Sequence, residues 1–161
     1  MAREGRSRLK QVVVLVVGVL IVAFIVLQFF RIDTTPIPIV QGDTIQSGIS
    51  VPPDVDMVLT RSCGDCHSNQ TVYPWYSRVQ PVAWWLSNHI AEGRGELNFS
   101  TFNTYNARRK KKKLEEICEQ VKSGEMPLPS YTWIHRDAIL TDSEKEAICS
   151  WTETASNEIK E

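Results

Sequence analysis

The sequence predicts an all-α chain, a helical domain preceded by one apolar N-terminal helix. Three observations carry this. Residues 12–30 are free of charge and almost wholly apolar, a length that suits one helix across a hydrocarbon core. Beyond them, four stretches place apolar residues at helical spacing and carry helix start and stop signals. No βαβ pattern accompanies Cys63 and Cys66, the one closely spaced cysteine pair.

The N-terminus carries Arg3, Arg6, Arg8 and Lys10 against a single acid, Glu4. A helix of residues 12–30 rises ~1.5 Å per residue and spans roughly 28 Å. In lipid the backbone must satisfy its own hydrogen bonds, so a helix is the single-segment solution despite many β-branched residues. A cleaved signal peptide is the rival reading, but it needs a shorter apolar run and a small-x-small site. Gln28-Phe29-Phe30-Arg31 offers none, so an uncleaved anchor is expected, with its basic end in the cytoplasm and the rest of the chain outside. The expected organisation is a basic cytoplasmic tail at 1–10, a transmembrane signal anchor at 11–31, an extended linker at 32–53 and a folded domain at 54–161. The linker reading rests on Pro36, Pro38, Pro52 and Pro53, loosened by Gly42 and Gly48. Beyond residue 31 the chain holds 13 Lys+Arg against 18 Asp+Glu, a mildly acidic balance that gives no reason to expect nucleic acid.

The first domain helix is expected over 54–66, with Asp54 or Asp56 as cap and Val55, Val58 and Leu59 on one face. It runs into Cys63-Gly64-Asp65-Cys66-His67, the C-x-x-C-H attachment signature of a c-type haem. Two thiols three positions apart on one helical turn can reach two vinyl groups on one porphyrin edge. The imidazole that follows then lies beneath the iron. Gly64 and Asp65 are read as small spacers. A thioredoxin-like redox pair and half of a zinc site are the competing readings, and neither finds its context here.

Pro74-Trp75-Tyr76 sets two aromatic rings after a rigid turn. Trp75 and Tyr76 are candidates to cover a haem face, with plain core packing as the alternative. A second helix is expected over 81–92, with Val82, Trp85, Leu86 and His89 on one face and Gly93 and Gly95 as terminators. Residues 98–106 read as a polar-aromatic loop. The third helix is expected over 107–123, closed by Gly124 in a left-handed cap. It starts with the basic run Arg108-Arg109-Lys110-Lys111-Lys112-Lys113, which opposes the helix dipole. That run reads as a solvated helix end, or alternatively as a docking patch for an acidic redox partner.

Met126 precedes a stiff Pro127-Leu128-Pro129 segment that holds it out of helix geometry. It could present a thioether to iron or simply fill core. His89 and His135 are alternative ligands, each equally readable as a hydrogen-bonded side chain. The last helix is expected over 141–157, with Thr141 or Asp142 as cap, Glu144 where a capping box wants an acid, and Ala147, Ile148 and Trp151 facing inward. Cys118 and Cys149 are the remaining cysteines. Outside the cytoplasm they are expected to pair, tying the third helix to the last; two buried free thiols are the alternative.

The chain resembles the small bacterial monohaem "haem-binding domain" proteins, relatives of class I cytochromes c. The resemblance rests on Cys63-Gly64-Asp65-Cys66-His67-Ser68-Asn69, Tyr73-Pro74-Trp75-Tyr76, Pro81-Val82-Ala83-Trp84-Trp85-Leu86, His89-Ile90, Gly93-Arg94, Leu97-Asn98-Phe99-Ser100, Gly124-Glu125-Met126-Pro127, Tyr131 and Leu140-Thr141. It covers roughly residues 54–151. It implies a cytochrome c-like helical domain wrapped around one covalent haem c, with His67 and Met126 as axial ligands. The resulting expectation is a membrane-anchored monohaem cytochrome of the bacterial inner membrane. It would exchange single electrons with partner proteins on the periplasmic side, as a carrier rather than an enzyme. A haem-based sensor or peroxidase-like protein with a displaceable sixth ligand is the alternative.

Overall fold

A computed structural model describes residues 2–160 of the chain, with side chains from residue 8 onward; Arg3 and Arg6 of the basic tail lie outside the described side chains. Every regular element among the described residues is helical, as expected. The chain divides into two compact units, Met1–Thr34 with Tyr73–Asn88, and Thr35–Val72 with His89–Glu161. Residues 73–88 therefore group with the N-terminal helix.

In the first unit, α1 (Ala2–Leu27) contains Arg8–Leu27, a helix long and apolar enough to cross a membrane, none of it buried by protein. Gln28 interrupts the apolar run for a structural reason. Its amide pairs with the backbone of Gln80, accepting from Gln80 N at 2.9 Å and donating to Gln80 O at 3.3 Å. The Gln80 side chain in turn donates to Phe30 O at 2.7 Å. The first two turns of α5 (Val82–Glu96) bury Ala83 and Leu86. The expected inward residues Val82 and Trp85 are instead 43% and 45% exposed, because the buried stripe is Ala83, Leu86 and Ile90.

In the second unit the presumed linker joins the core. Pro36 and Pro38 accompany irregular backbone only as far as Val40; a 3-10 turn and the short helix α2 (Ile45–Gly48) follow. Ile45 is fully buried and Ile49 nearly so, one helical turn apart. Ile45 N donates to Phe99 O at 2.8 Å, and Trp151 Nε1 donates to Ser50 O at 2.9 Å. Burying one such isoleucine contributes about 1.5–3 kcal/mol, enough to recruit a short segment.

Helix α3 (Pro53–Ser62) places Pro53 in its first turn, and neither Asp54 nor Asp56 caps it, since Pro52 occupies that position. Val55, Val58 and Leu59 face the core. The expected continuous helix over 54–66 breaks at Cys63 (φ −125°, ψ −29°) and restarts as the short α4 (Gly64–His67). Helix α6 (Ala107–Ser123) has the expected limits. Asn106 accepts from Arg109 N at its start, and Gly124 closes it at φ 77°, where a side chain would be strained. Short α7 (Pro129–Thr132) precedes α8 (Asp142–Glu158), whose Thr141–Glu144 capping box is present on both sides. Helices α6 and α8 pack along one another through Leu114, Ile117, Ile148 and Trp151, and the Cys118–Cys149 bond joins them with Cα atoms 4.8 Å apart.

Candidate functional site

The Cys63-Gly64-Asp65-Cys66-His67 motif sits on a corner rather than inside a helix. Cys63 O accepts from both Cys66 N (3.2 Å) and His67 N (2.9 Å), so the two thiols and the imidazole issue from a single turn. Ser68 Oγ closes that turn onto Gly64 O at 2.7 Å. Arg94 then clasps the chain beyond it, donating to Ser68 O and Thr71 Oγ1, each at 2.8 Å.

Helix α5 crosses this turn at Gly93. A Cβ there would lie 2.8 Å from Cys66 O and 3.2 Å from Cys66 Cβ, so only glycine permits the approach. Gly93 and Gly95 therefore do not terminate the helix, which continues to Glu96. A helical pattern holding a glycine with no cap geometry carries the signal of such a close approach. Leu97 follows directly, and its carbonyl meets His67 Nδ1 at 3.0 Å. A carbonyl can only accept, so Nδ1 carries the proton and Nε2 keeps its lone pair. Burial holds the His67 imidazole below its ordinary pKa, outweighing the carbonyls of Leu97 and Gly93 that favour the cation. The result is a neutral imidazole with a fixed tautomer, the form that binds a metal.

Cys63, Cys66 and His67 line one cavity of about 670 Å³, within the usual range for a small-molecule or cofactor pocket. Leu59, Leu97, Phe99, Ile117 and Val121 supply apolar wall, and Met126, Pro127 and Leu128 another part of it. Burial, with the neighbouring Cys66 charge, pushes the Cys63 thiol up to about 12; burial and Asp65 push Cys66 up to about 11. Both are protonated at neutral pH. A nucleophilic redox pair needs the opposite shift, so the environment of these thiols does not suit disulfide exchange. Among the described residues no cluster of three or more His, Cys, Asp or Glu side chains is arranged to hold a bare metal ion. Two protonated thiols and one imidazole nitrogen around an apolar space fit a flat macrocycle that brings its own iron.

Other predicted residues fall on both sides of this boundary. His89 lines the cavity from α5, in register with Glu92, Gly93 and Glu96. His135 does not line it; its ring stacks on Tyr131, with centroids 4.3 Å apart. Trp75 and Tyr76 sit edge-on to each other in the first unit, centroids 5.8 Å apart, with Trp75 76% exposed.

Three contributors were not legible as such in the sequence. Tyr131 lines the cavity and donates to Asp65 Oδ2 at 2.8 Å, while Asp65 Oδ1 accepts from Val72 N at 2.9 Å. Asp65 is thus a fastening point between the attachment turn and the segment that carries Met126, not a passive spacer. Lys113 also lines the cavity, pairing with Glu116 at 2.7 Å and Glu96 at 3.1 Å. Burial alone would lower its pKa, but the two carboxylates raise it. The basic run is therefore not uniformly solvated. Lys110 reaches Asn103, and the Arg109 guanidinium lies 3.9 Å over the Tyr105 ring.

A family model described as a haem-binding domain matches residues 22–154, most of the chain and the end of α1 with it. No curated protein and no solved structure matches the chain.

Proposed function

Since the chain belongs to the haem-binding domain family, we propose that it is a membrane-anchored monohaem cytochrome of the c type that carries single electrons on the extracytoplasmic side. The observation that supports this most directly is the His67 tautomer. The Leu97 carbonyl commits Nδ1 to donation and leaves Nε2 free beside two protonated thiols in one apolar cavity. Cys63 and Cys66 would hold the porphyrin through thioether bonds, and His67 Nε2 would ligate iron on one face. Met126, on the wall of the same cavity, would supply a soft sulfur on the other, favouring the ferrous state. Bound haem supplies the one-electron iron couple. The chain's own part would be to fix the imidazole, to hold the iron through His67 and Met126, and to exclude water with apolar walls. Helix α1 would anchor the protein in the inner membrane with the second unit outside. Its partners would be redox proteins.

The sensor or peroxidase-like reading is favoured by one feature. His89 lines the same cavity and could serve as base or substitute ligand if the thioether is displaced. Two measurements test the attachment and the ligand assignment. A pyridine haemochrome assay on protein matured in a competent host should report one covalent haem per chain, and Cys63→Ser/Cys66→Ser should abolish it. Met126→Ala should remove the weak far-red thioether–iron band and open the ferrous form to carbon monoxide. Colourless wild-type protein would overturn the whole reading, and an unchanged Met126→Ala spectrum would overturn the ligand assignment.

A further inference from the structure

The geometry points to a second membrane contact: the exposed aromatic face of residues 73–88, pinned to the end of α1, lies in the headgroup boundary of the same bilayer that α1 crosses. This rests on the anchor reading above and adds a surface to it. The membrane-competent span ends at Leu27, and Phe30 lies one turn beyond. Phe30 O accepts from Gln80 Nε2 at 2.7 Å and from Trp84 Nε1 at 3.1 Å, while the Gln28 amide pairs with the Gln80 backbone. These bonds fix the depth of α5's first turn relative to the span. Where α1 leaves the hydrocarbon, Trp84 must be.

The exposed side chains there are those that a bilayer boundary selects. Trp75, Trp84 and Trp85 are 76%, 37% and 45% exposed, and Phe29 and Phe30 are 81% and 59% exposed. Tryptophan concentrates at membrane interfaces because its ring prefers the acyl boundary while its N–H needs a polar partner. Trp84 brings that partner with it in Phe30 O, so its ring can sit against lipid with no unsatisfied donor. Arg31 and Arg78, both exposed, flank the contact in sequence and supply cations for lipid phosphates.

The full chain, reconstituted in phosphatidylcholine–phosphatidylglycerol vesicles, provides the test. Tryptophan quenching is compared between lipids brominated near the headgroup and lipids brominated near the chain end, for wild type and for Trp84→Phe/Trp85→Phe. Shallow bromine should quench wild type about twofold or more over deep bromine, and the double variant should lose most of that difference. Alkaline carbonate extraction is run in parallel. If the chain stays in the membrane yet neither bromine position quenches, or deep bromine quenches more, the interfacial contact is refuted while the anchor stands. If carbonate releases the chain, the anchor reading fails and this contact with it. If the wild type is unquenched and the double variant loses a protein partner instead, the surface belongs to that partner and the lipid proposal is overturned.

Discussion

The chain carries two cysteine pairs whose surroundings differ in almost every respect. Cys63 and Cys66 stand three positions apart on one sharp turn, form no disulfide, and open on an apolar cavity. Cys118 and Cys149 stand 31 positions apart on neighbouring helices and are bonded to each other. The first pair constrains almost nothing in an unfolded chain, since so short a loop is already nearly closed. The second closes a long loop and draws α6 and α8 together. Spacing alone thus separates a pair suited to hold a ligand from a pair suited to hold the fold, and the helices decide which sulfurs can meet.

Breaking the second pair gives the largest effect on stability. Cys118→Ala/Cys149→Ala should lower unfolding free energy by about 3–4 kcal/mol in denaturant titration. It should leave the haem content per folded chain unchanged, because Cys118 and Cys149 do not line the cavity that Cys63, Cys66 and His67 share. Loss of haem in the folded variant would show that the two pairs are coupled.

Next is Gly93→Ala, which challenges the first pair without touching a sulfur. Its methyl would meet the backbone oxygen of Cys66 at 2.8 Å, an atom that cannot swing aside, so α5 or the turn that carries Cys66 must move. A cost of about 1–3 kcal/mol is expected, as for overpacking. Gly95→Ala makes the control, having open space at its Cβ and a helical position where alanine is preferred. Equal effects from the two substitutions would refute the close-approach account.

The smallest effect belongs to Glu144, which fastens α8 to α3 near the attachment turn. The Thr141 backbone N–H, then Arg61, hold its carboxyl below the ordinary value of 4.5. The unfolded chain therefore binds more protons in mild acid. The contribution is fully present above 4.5 and is lost as pH falls through the lower folded value. Glu144→Gln should cost about 1 kcal/mol at neutral pH, and the two proteins should converge in acid. A difference that persists in acid would assign the effect to packing instead of charge.

The sequence and the structure agree most closely where a helix and both its ends are set by neighbours in the chain. Helix α6 between Asn106 and Gly124, and the Thr141–Glu144 capping box of α8, lie where residue types alone put them. They disagree where burial depends on distant partners. Ile45 and Ile49 look like linker between proline clusters until Phe99 and Trp151 pack and bond beside them. Gln28 looks like a lone polar interruption of an apolar run until its amide pairs with the Gln80 backbone, 52 residues away.

By itself, the sequence determined the all-helical class, the one membrane-competent helix, and the thiol–thiol–imidazole motif. Each of these is a matter of composition or of spacing within a turn or two, and a local pattern is enough to encode it. Only the tertiary structure decided which imidazole nitrogen is free, why α5 needs Gly93, that Asp65 fastens Tyr131, and that Lys113 reaches the cavity wall. Those facts need groups from 17 to 66 residues apart to come within hydrogen-bond or van der Waals distance. No pattern of neighbours along the chain specifies such meetings; they exist once the core has closed.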